Sequence, residues 1–350
     1  MPEGLPLVFD GHNDTVLSLR NTGRSFFERG SQGHLDLPRA REGGFGGGFF
    51  AVYVPNADVE RRSGQSAGAF GDLSTMPPVM ELGYAQRFAI GQAARLFQIE
   101  RESNGEARVV RTAGEIEDAL EQGALAMLLH LEGAEPLDSG GEALELFYQA
   151  GFRSLGVCWS RPNAYAQGVP FKFPSTPDHG PGLSEAGQEL VRRCNALGVM
   201  LDVSHLNEQG FWDLARLTDK PIVATHSNAH AICPSTRNLT DKQLDAIRDS
   251  NGMVGLNFSV GSTNPSGSRD PDMPLSMMLD QIDYLVEKLG IDRVGLGSDF
   301  DGTTVATELG DVAGLPKLLE GLQERGYDEA ALAKLAHRNW VRVLRATWGA

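Results

Sequence analysis

The chain alternates short apolar runs with longer stretches of helical periodicity, and this alternation restricts the possible folds more than any other feature. Several of the runs are apolar without interruption, as expected for strands that are buried on both faces of a parallel sheet. The pattern predicts eight strands, at residues 7–10, 47–54, 124–131, 154–159, 199–203, 222–225, 253–258 and 294–297.

Helical patterns separate most of these strands and complete a repeating β/α unit. They predict helices at residues 78–102, 142–150, 184–197, 208–217, 240–250, 275–289, 312–325 and 328–344. Ser184 and Thr240 each stand where a helix begins and offer a capping oxygen. This alternation predicts an α/β fold, a (β/α)8 TIM barrel with residues 1–350 as one domain. An open doubly wound sheet fits less well, because His-Asn-Asp rather than a glycine-rich phosphate loop follows the first strand.

Residues of the types that bind metal follow several of the predicted strands. They are His12, Asp14, Glu132, His205 and His226. Because the carboxyl ends of barrel strands meet at one rim, we expect these side chains to converge there. Three imidazoles and two carboxylates suit one or two divalent cations such as zinc. The alternatives are an Asn/Asp-rich turn around His12 and a buried salt bridge at Glu132.

Other polar residues near the strand ends have competing interpretations. Asp299 follows the last predicted strand and could move a proton between water and a leaving amine, with Asp301 as the competing candidate. Arg237 could hold a substrate carboxylate or form a surface salt bridge, and its position alone does not decide between them. We interpret His130 as a core histidine and do not expect His230 to be a ligand.

Composition excludes several classes of protein. Of the 350 residues 41% are hydrophobic, which is enough for a large core, and the net charge of −15 argues against binding to nucleic acid or to an anionic membrane surface. The three cysteines show no CxxC spacing and predict reduced, buried side chains. Without a signal-peptide pattern or an apolar run of about 20 residues, we expect a cytoplasmic protein.

Three connections between predicted strands and helices are long or rich in Gly and Pro, and we expect them to form substrate loops or subunit contacts. The first spans residues 55–123 and contains a polar, Gly-rich stretch at 61–71. The second follows Trp159 and the third covers residues 261–268.

With these residues assembled, the chain resembles the membrane (renal) dipeptidase family, peptidase family M19 of the amidohydrolase superfamily. The likeness runs from Asp10-Gly-His-Asn-Asp to Arg338-Asn-Trp-Val-Arg-Val-Leu. It implies a zinc-dependent dipeptidase, in which a hydroxide bridging two zinc ions attacks the peptide bond of a dipeptide, and it suggests a homodimer.

The resemblance also assigns roles to individual residues. It implies that His12 and Asp14 bind one zinc ion, that His205 and His226 bind the second, and that Glu132 bridges both. Asp299 is then the general acid and base, and Arg237 binds the carboxylate at the C-terminus of the substrate, which favours dipeptides over longer peptides.

Trp159 departs from the family pattern. Many members have a histidine 27 residues after the bridging glutamate, at the position of Trp159, where it polarises the scissile carbonyl. Tryptophan donates one N–H but cannot become a cation. The oxyanion contact would then come from Trp159, from Arg161 or from zinc alone, and Arg161 in the cleft would favour an acidic substrate residue. Alternative functions are hydrolysis of N-acyl amino acids or lactams, or metal binding by a weakly active paralogue.

Overall fold

Eight of the strands form a nearly closed parallel barrel in the computed structural model, which describes residues 4–56 and 74–349. The strands are β1 Val8–Asn13, β2 Phe45–Tyr53, β3 Ala107–Val110, β4 Leu125–Glu132, β5 Ser154–Gly156, β6 Met200–Asp202, β7 Val223–Ala224, β8 Met253–Leu256 and β9 Val294–Leu296. Neighbouring strands are parallel, in the order β1-β2-β4-β5-β6-β7-β8-β9, and β3 pairs with β4 outside this order.

Helices connect successive strands, so the predicted (β/α)8 TIM barrel is confirmed. Ser184 caps one helix by accepting the Gly187 N–H, and Thr240 forms a capping box with Gln243, as the sequence predicts. The helices are α1 Thr15–Thr22, α2 Leu37–Gly43, α3 Leu82–Glu102, α4 Ala113–Glu121, α5 Glu142–Ala150, α6 Glu185–Leu197, α7 Glu208–Leu217, α8 Asp241–Asp249, α9 Val260–Thr263, α10 Ser276–Leu289, α11 Leu315–Glu324, α12 Glu329–Ala333 and α13 Asn339–Trp348.

The first and last strands meet through a buried aspartate and the segments that follow the two strands. Asp10 accepts hydrogen bonds from the backbone N–H of Ser298 at 2.6 Å and from its hydroxyl at 2.7 Å. The N–H of Asp299, beyond β9, donates to the carbonyl of His12 at 2.9 Å, and the N–H of Asp14, beyond β1, donates to the carbonyl of Phe300 at 2.8 Å. These bonds bring the two ends of the sheet together at the rim where the predicted site residues lie.

Trp340, at the start of α13, fills the interior of the barrel. It is fully buried, its Nε1 donates to the carbonyl of Leu296 at 3.0 Å, and its ring centroid lies 5.0 Å from that of Phe49. A Cβ atom on Gly11, on Gly255 or on Gly295 would lie within 2.4–2.8 Å of the indole. Glycine at these points of three strands therefore leaves the space that the indole occupies.

The structure differs from the sequence prediction mainly between the second and fourth strands. The connection at residues 55–123 contains β3 and α4 besides the predicted long helix, and α1 and α2 were also not predicted. The short strand β3 pairs along one edge only, and its four residues give little periodicity. The predicted helix at 328–344 is divided into α12 and α13 by a π-helical segment, Lys334–Arg338. The Gly-rich stretch at 61–71 lies outside the described residues.

The described residues agree with two further predictions. Cys158, Cys194 and Cys233 are all buried and free. In the described part of the chain, no helix combines the length and apolar character needed to span a bilayer.

We predict that Trp340→Ala lowers the free energy of unfolding by about 3–5 kcal/mol, because it removes a buried indole and leaves a cavity that three strands surround. Denaturant unfolding followed by circular dichroism measures the change. Leu146→Ala is the control, since the Leu146 side chain is 64% exposed and its truncation leaves no cavity. Equal stability of the two variants would contradict the role given to Trp340.

Candidate metal centre and active site

The predicted site residues converge at the carboxyl end of the barrel. His12 lies within β1 and Glu132 is the last residue of β4, while His205, His226 and Asp299 follow β6, β7 and β9 within three residues. Active sites of TIM-barrel enzymes lie at this end, where loops are free to vary without disturbing the strands. The prediction that these side chains come together is therefore met by the geometry.

Glu132 stands at the centre of three histidines. Its Oε1 lies 3.2 Å from Nε2 of His205, 3.7 Å from Nε2 of His12 and 3.8 Å from Nε2 of His226. The Nε2 atoms of His205 and His226 are 3.0 Å apart. Three imidazole nitrogens thus face one carboxylate oxygen, and imidazole and carboxylate are the usual ligands of zinc and similar cations.

A second group of candidate ligands shares His12. Oδ2 of Asp14 lies 3.5 Å from Nε2 of His12, and Asp299 brings a carboxylate oxygen within 4.8 Å of both. Asp14 stands at the N-cap position of α1, one residue beyond the end of β1, with φ −101° and ψ 25°. Gly302 allows the two carboxylates to approach, because a Cβ there would lie 2.0 Å from Asp14 Oδ2 and 2.5 Å from Asp299 Oδ1.

The buried charges of this cluster favour a bound cation. Burial raises the pKa of the Glu132 carboxyl well above its usual range and raises that of Asp299 to about 6, with Asp14 adding to both shifts. Burial lowers the pKa of His205 and of His226 well below its usual value, which keeps these imidazoles neutral. Metal binding needs the neutral imidazole and the ionised carboxylate, so a bound cation would offset the cost that burial places on the charge of Glu132.

His12 provides a further test of whether the cluster fits a metal. Its side chain is fully buried, and within the described residues neither ring nitrogen has a hydrogen-bond partner. A buried polar atom without a partner costs about 1–3 kcal/mol. A cation bound at Nε2 removes that cost for the nitrogen that faces Glu132 and Asp14.

Hydroxyl groups behind two of the histidines orient the rings. Oγ of Ser160 lies 2.8 Å from Nδ1 of His205, and Oγ1 of Thr225 lies 2.8 Å from Nδ1 of His226. A hydrogen bond at Nδ1 leaves Nε2 directed at Glu132. We did not predict either hydroxyl; Thr225 directly precedes His226, but the sequence does not reveal that its side chain turns back onto the ring.

Asn257 contacts both Asp299 and the loop that carries His226. Nδ2 of Asn257, which follows β8, donates to Oδ2 of Asp299 at 3.0 Å and lies 3.5 Å from the carbonyl of His226. The φ angles of Asp299 and His205 are 58° and 69°, in the left-handed region that non-glycine residues rarely adopt. Such backbone strain is frequent at functional sites.

The competing residues have partners outside the cluster. Asp301 accepts hydrogen bonds from Arg24 at 2.7 Å and from the backbone N–H of His34 at 2.6 Å. His230 Nε2 contacts the carbonyl of Ser175 at 2.9 Å. These contacts direct both side chains away from Glu132 and its histidines.

His130 lies beneath the cluster. It is fully buried, its Nδ1 is 2.8 Å from Oγ of Ser154, and its ring centroid is 5.5 Å from that of His12. Burial lowers its pKa to about 3, so the ring is neutral. This position fits the core histidine that we inferred from the sequence.

Arg237 is buried beside the cluster. Its side chain is only 6% exposed, and its Nη2 donates to the carbonyl of His226 at 3.3 Å. It is therefore not the surface salt bridge considered as the alternative. A guanidinium held next to the histidine loop is available for an anionic group that enters the site.

Trp159 and Arg161 belong to an aromatic layer next to His205. The Trp159 ring centroid lies 5.6 Å from that of His205 and 5.0 Å from that of Tyr53. The Arg161 guanidinium stacks 4.9 Å from the Trp159 ring and is fully buried. It also lies 3.2 Å from Glu135 Oε1 and donates to the carbonyl of Val54 at 2.7 Å.

Known proteins resemble the chain in both sequence and structure. A metallo peptidase from Rhodobacter sphaeroides, crystallised with a phosphinate mimic of the dipeptide L-Ala-D-Ala, is 47% identical; the match covers 98% of this chain and all of that one, with a TM-score of 0.93. An uncharacterised protein encoded in the pqqA 5′ region of Klebsiella pneumoniae is 51% identical over 73% of this chain and 95% of its own length. A dipeptidase of Claviceps purpurea is 27% identical over 98% of this chain and 77% of its own length.

The sequence model of the membrane dipeptidase family, peptidase family M19, matches residues 5–348, which is nearly the whole chain. The fold, the convergence of the candidate ligands and this match agree with one another. The chain belongs to the membrane dipeptidase family, peptidase family M19, and is a metal-dependent dipeptide hydrolase.

Proposed function

We propose that the protein is a dipeptidase with two zinc ions in one site. His12 and Asp14 hold one ion, His205 and His226 hold the other, and Glu132 lies between them. The observation that carries the proposal is the position of Glu132 Oε1, within 3.8 Å of the Nε2 atoms of all three histidines. When bound, divalent ions polarise the scissile carbonyl and lower the pKa of water.

Asp299 is the group that moves the proton. Its carboxylate lies beside Asp14 and His12, and Asn257 donates a hydrogen bond to one of its oxygens. It takes the proton from the attacking water and gives it to the departing amine, so the leaving group departs as a neutral amine. Burial raises the pKa of this carboxyl to about 6, and a cation bound beside it would lower that pKa again, so Asp299 is ionised and able to accept a proton near neutral pH.

Arg237 holds the free carboxylate of the substrate. Two parallel N–H donors match the two carboxylate oxygens, and burial strengthens the pairing because little water competes. A carboxylate fixed beside the His226 loop sets the distance from the substrate C-terminus to the scissile bond. We therefore expect the enzyme to cleave dipeptides in preference to longer peptides.

Trp159 forms the wall of the substrate pocket on the His205 side, and Arg161 holds it in place. The Arg161 guanidinium is engaged by Glu135, Val54 and the indole ring, so this geometry favours a positioning role over the direct substrate contact predicted from the sequence. We propose that the oxyanion contact comes from the metal rather than from the tryptophan. An apolar wall of this kind favours substrates with apolar side chains.

We also propose zinc as the native metal, one catalytic domain over residues 1–350, a homodimer and a cytoplasmic location. The buried, free state of the three cysteines supports the location, and the family resemblance supports the dimer.

The metal dependence is tested by removal. A chelator should abolish dipeptide hydrolysis and lower the melting temperature, because bound metal stabilises the fold by about 2.7 kcal/mol when its free concentration is 100 times Kd. Adding zinc back should restore both. Glu132→Ala should lose both ions by elemental analysis, while the control His230→Ala should keep them. Full activity in the chelated protein would refute the proposal.

Asp299→Asn should reduce kcat by about 10²–10⁴-fold, because an amide cannot accept the proton. Its metal content should equal that of the wild type. Asp301→Asn serves as the control, since Asp301 makes structural contacts to Arg24 and His34, and its kcat per folded molecule should stay near that of the wild type. A small effect of Asp299→Asn would assign proton transfer to another group.

Arg237→Met should lower kcat/KM for free dipeptides by about 10- to 100-fold, because it removes a charge-assisted hydrogen bond to the substrate. The rates should be measured on a dipeptide and on its C-terminal amide. The wild type should prefer the free acid and the variant should not. Arg248→Met is the control, since Arg248 is an exposed arginine that pairs with Asp245 on the surface. An unchanged preference in Arg237→Met would exclude the carboxylate-binding role.

A further inference from the structure

A buried chain of hydrogen bonds leads from a carboxylate to the far side of His226. Asp202, the last residue of β6, is 2% exposed, and Thr225 and His226 are 0% and 1% exposed. Oγ1 of Thr225 lies 2.6 Å from Oδ2 of Asp202 and 2.8 Å from Nδ1 of His226. The threonine hydroxyl thus connects a carboxylate on one strand with an imidazole at the end of the next.

The number of protons shared among Asp202, Thr225 and His226 determines the tautomer of His226. Oδ1 of Asp202 accepts the backbone N–H groups of Ser204 and Thr225, both at 2.9 Å, so donors surround the carboxylate. The Thr225 hydroxyl has one proton, and its shorter contact is to Asp202. Its oxygen then presents a lone pair to His226, and Nδ1 must carry the ring proton.

The opposite nitrogen is therefore free of a proton. Nε2 of His226 faces the candidate metal cluster, 3.8 Å from Oε1 of Glu132 and 3.0 Å from Nε2 of His205. A neutral imidazole binds metal through the nitrogen that carries the lone pair. The order of donors from Asp202 to His226 thus produces the tautomer that a ligand at this position needs.

We propose that Asp202, acting through Thr225, is a positioning group that fixes His226 as the Nδ1–H tautomer and so sets the metal affinity of its site. The inference rests on the proposed function, in which His226 is a metal ligand. Both residues are buried behind the histidine, and Asp202 also lies 3.6 Å from Nε2 of His130. Partners of this kind change metal affinity by about 10- to 100-fold when they are removed from metalloproteins.

His205 offers an internal comparison. Its Nδ1 also faces a hydroxyl, Oγ of Ser160, at 2.8 Å. Within the described part of the chain, that hydroxyl has no second hydrogen-bond partner, so no carboxylate fixes the direction of its proton. The Ser160 hydroxyl can either donate or accept, and its removal should affect metal binding less than the loss of the Asp202–Thr225 pair.

Two substitutions interrupt the hydrogen bonds from Asp202 to His226 in different ways. Thr225→Val removes the hydroxyl but keeps the backbone N–H that bonds to Asp202. Asp202→Asn keeps the shape but places an amide donor opposite Thr225, which turns the hydroxyl proton towards His226 and favours the Nε2–H tautomer. Thr225→Ser retains the hydroxyl and is the conservative rescue, and Ser160→Ala is the matched control for loss of a histidine-bound hydroxyl.

The experiment measures zinc affinity by competition with a chromophoric chelator, using the full chain of each variant. We expect Thr225→Val and Asp202→Asn to weaken one of the two zinc sites by about 10- to 100-fold. Thr225→Ser should match the wild type, and Ser160→Ala should lose less affinity than either. Long-range ¹H–¹⁵N spectra of the metal-free proteins should show His226 as the Nδ1–H tautomer in the wild type and as the Nε2–H tautomer in Asp202→Asn.

The outcomes separate this inference from the proposed function. If His226→Ala loses one zinc ion while Thr225→Val and Asp202→Asn bind zinc as the wild type does, the positioning role is wrong and the ligand assignment stands. If His226→Ala keeps both ions, the ligand assignment is wrong, and the positioning role falls with it. An Nε2–H tautomer of His226 in the metal-free wild type would also overturn the inference.

Discussion

The meeting of one buried carboxylate with three buried imidazoles is the constraint on which the rest of this structure depends. Glu132, His12, His205 and His226 are each at most 6% exposed, and burial alone penalises a charge on any of them. An ionised carboxylate without compensation costs several kcal/mol in such a place. Cations bound among these groups would provide that compensation. Such binding agrees with the membership of the chain in a family of metal-dependent dipeptidases.

The strands and the packed interior of the barrel hold these groups in place. Glu132 and His12 belong to strands, and His205 and Asp299 each follow a strand within three residues and adopt left-handed backbone conformations. Directly beneath the cluster, His130 lies between His12 and the aromatic interior, which continues through Phe49 to Trp340. The packed interior leaves the floor of the site little freedom to relax, so the distances between the ligands are set before any metal binds.

The sequence predicts much of this fold because apolar runs and helical periods are local signals. Each of the eight barrel strands lies where an apolar run predicts it, within a few residues. Asp14 lies close to His12, as the expected convergence of the candidate ligands predicts, but its place at the N-cap position of α1 was not predicted because α1 itself was not. The strand β3 escaped prediction because its four residues give little periodicity. The helix α4 has a local signal that was not recognised, the Thr112 hydroxyl that accepts the Glu115 N–H at its start.

In the site, too, some residues can be predicted from local sequence and others cannot. Residues that could bind metal are recognisable by type and by their position after a strand, whereas the groups that orient them are not. Thr225 and Ser160 are ordinary hydroxyl residues in the sequence, and their function depends on which ring they face. The sequence predicts that Arg161 contacts the substrate, but in the structure its guanidinium contacts Glu135 and the Trp159 ring. Side-chain direction across a loop depends on tertiary packing, which a sequence pattern does not encode.

The central proposal is that Glu132 lies between two metal ions with separate ligand sets. Crystals of the zinc-loaded protein, measured with X-rays above and below the zinc absorption edge, test it most directly. The account predicts two anomalous peaks beside Glu132, one next to His12 and Asp14 and the other next to His205 and His226. A single peak, or peaks remote from Glu132, would contradict it.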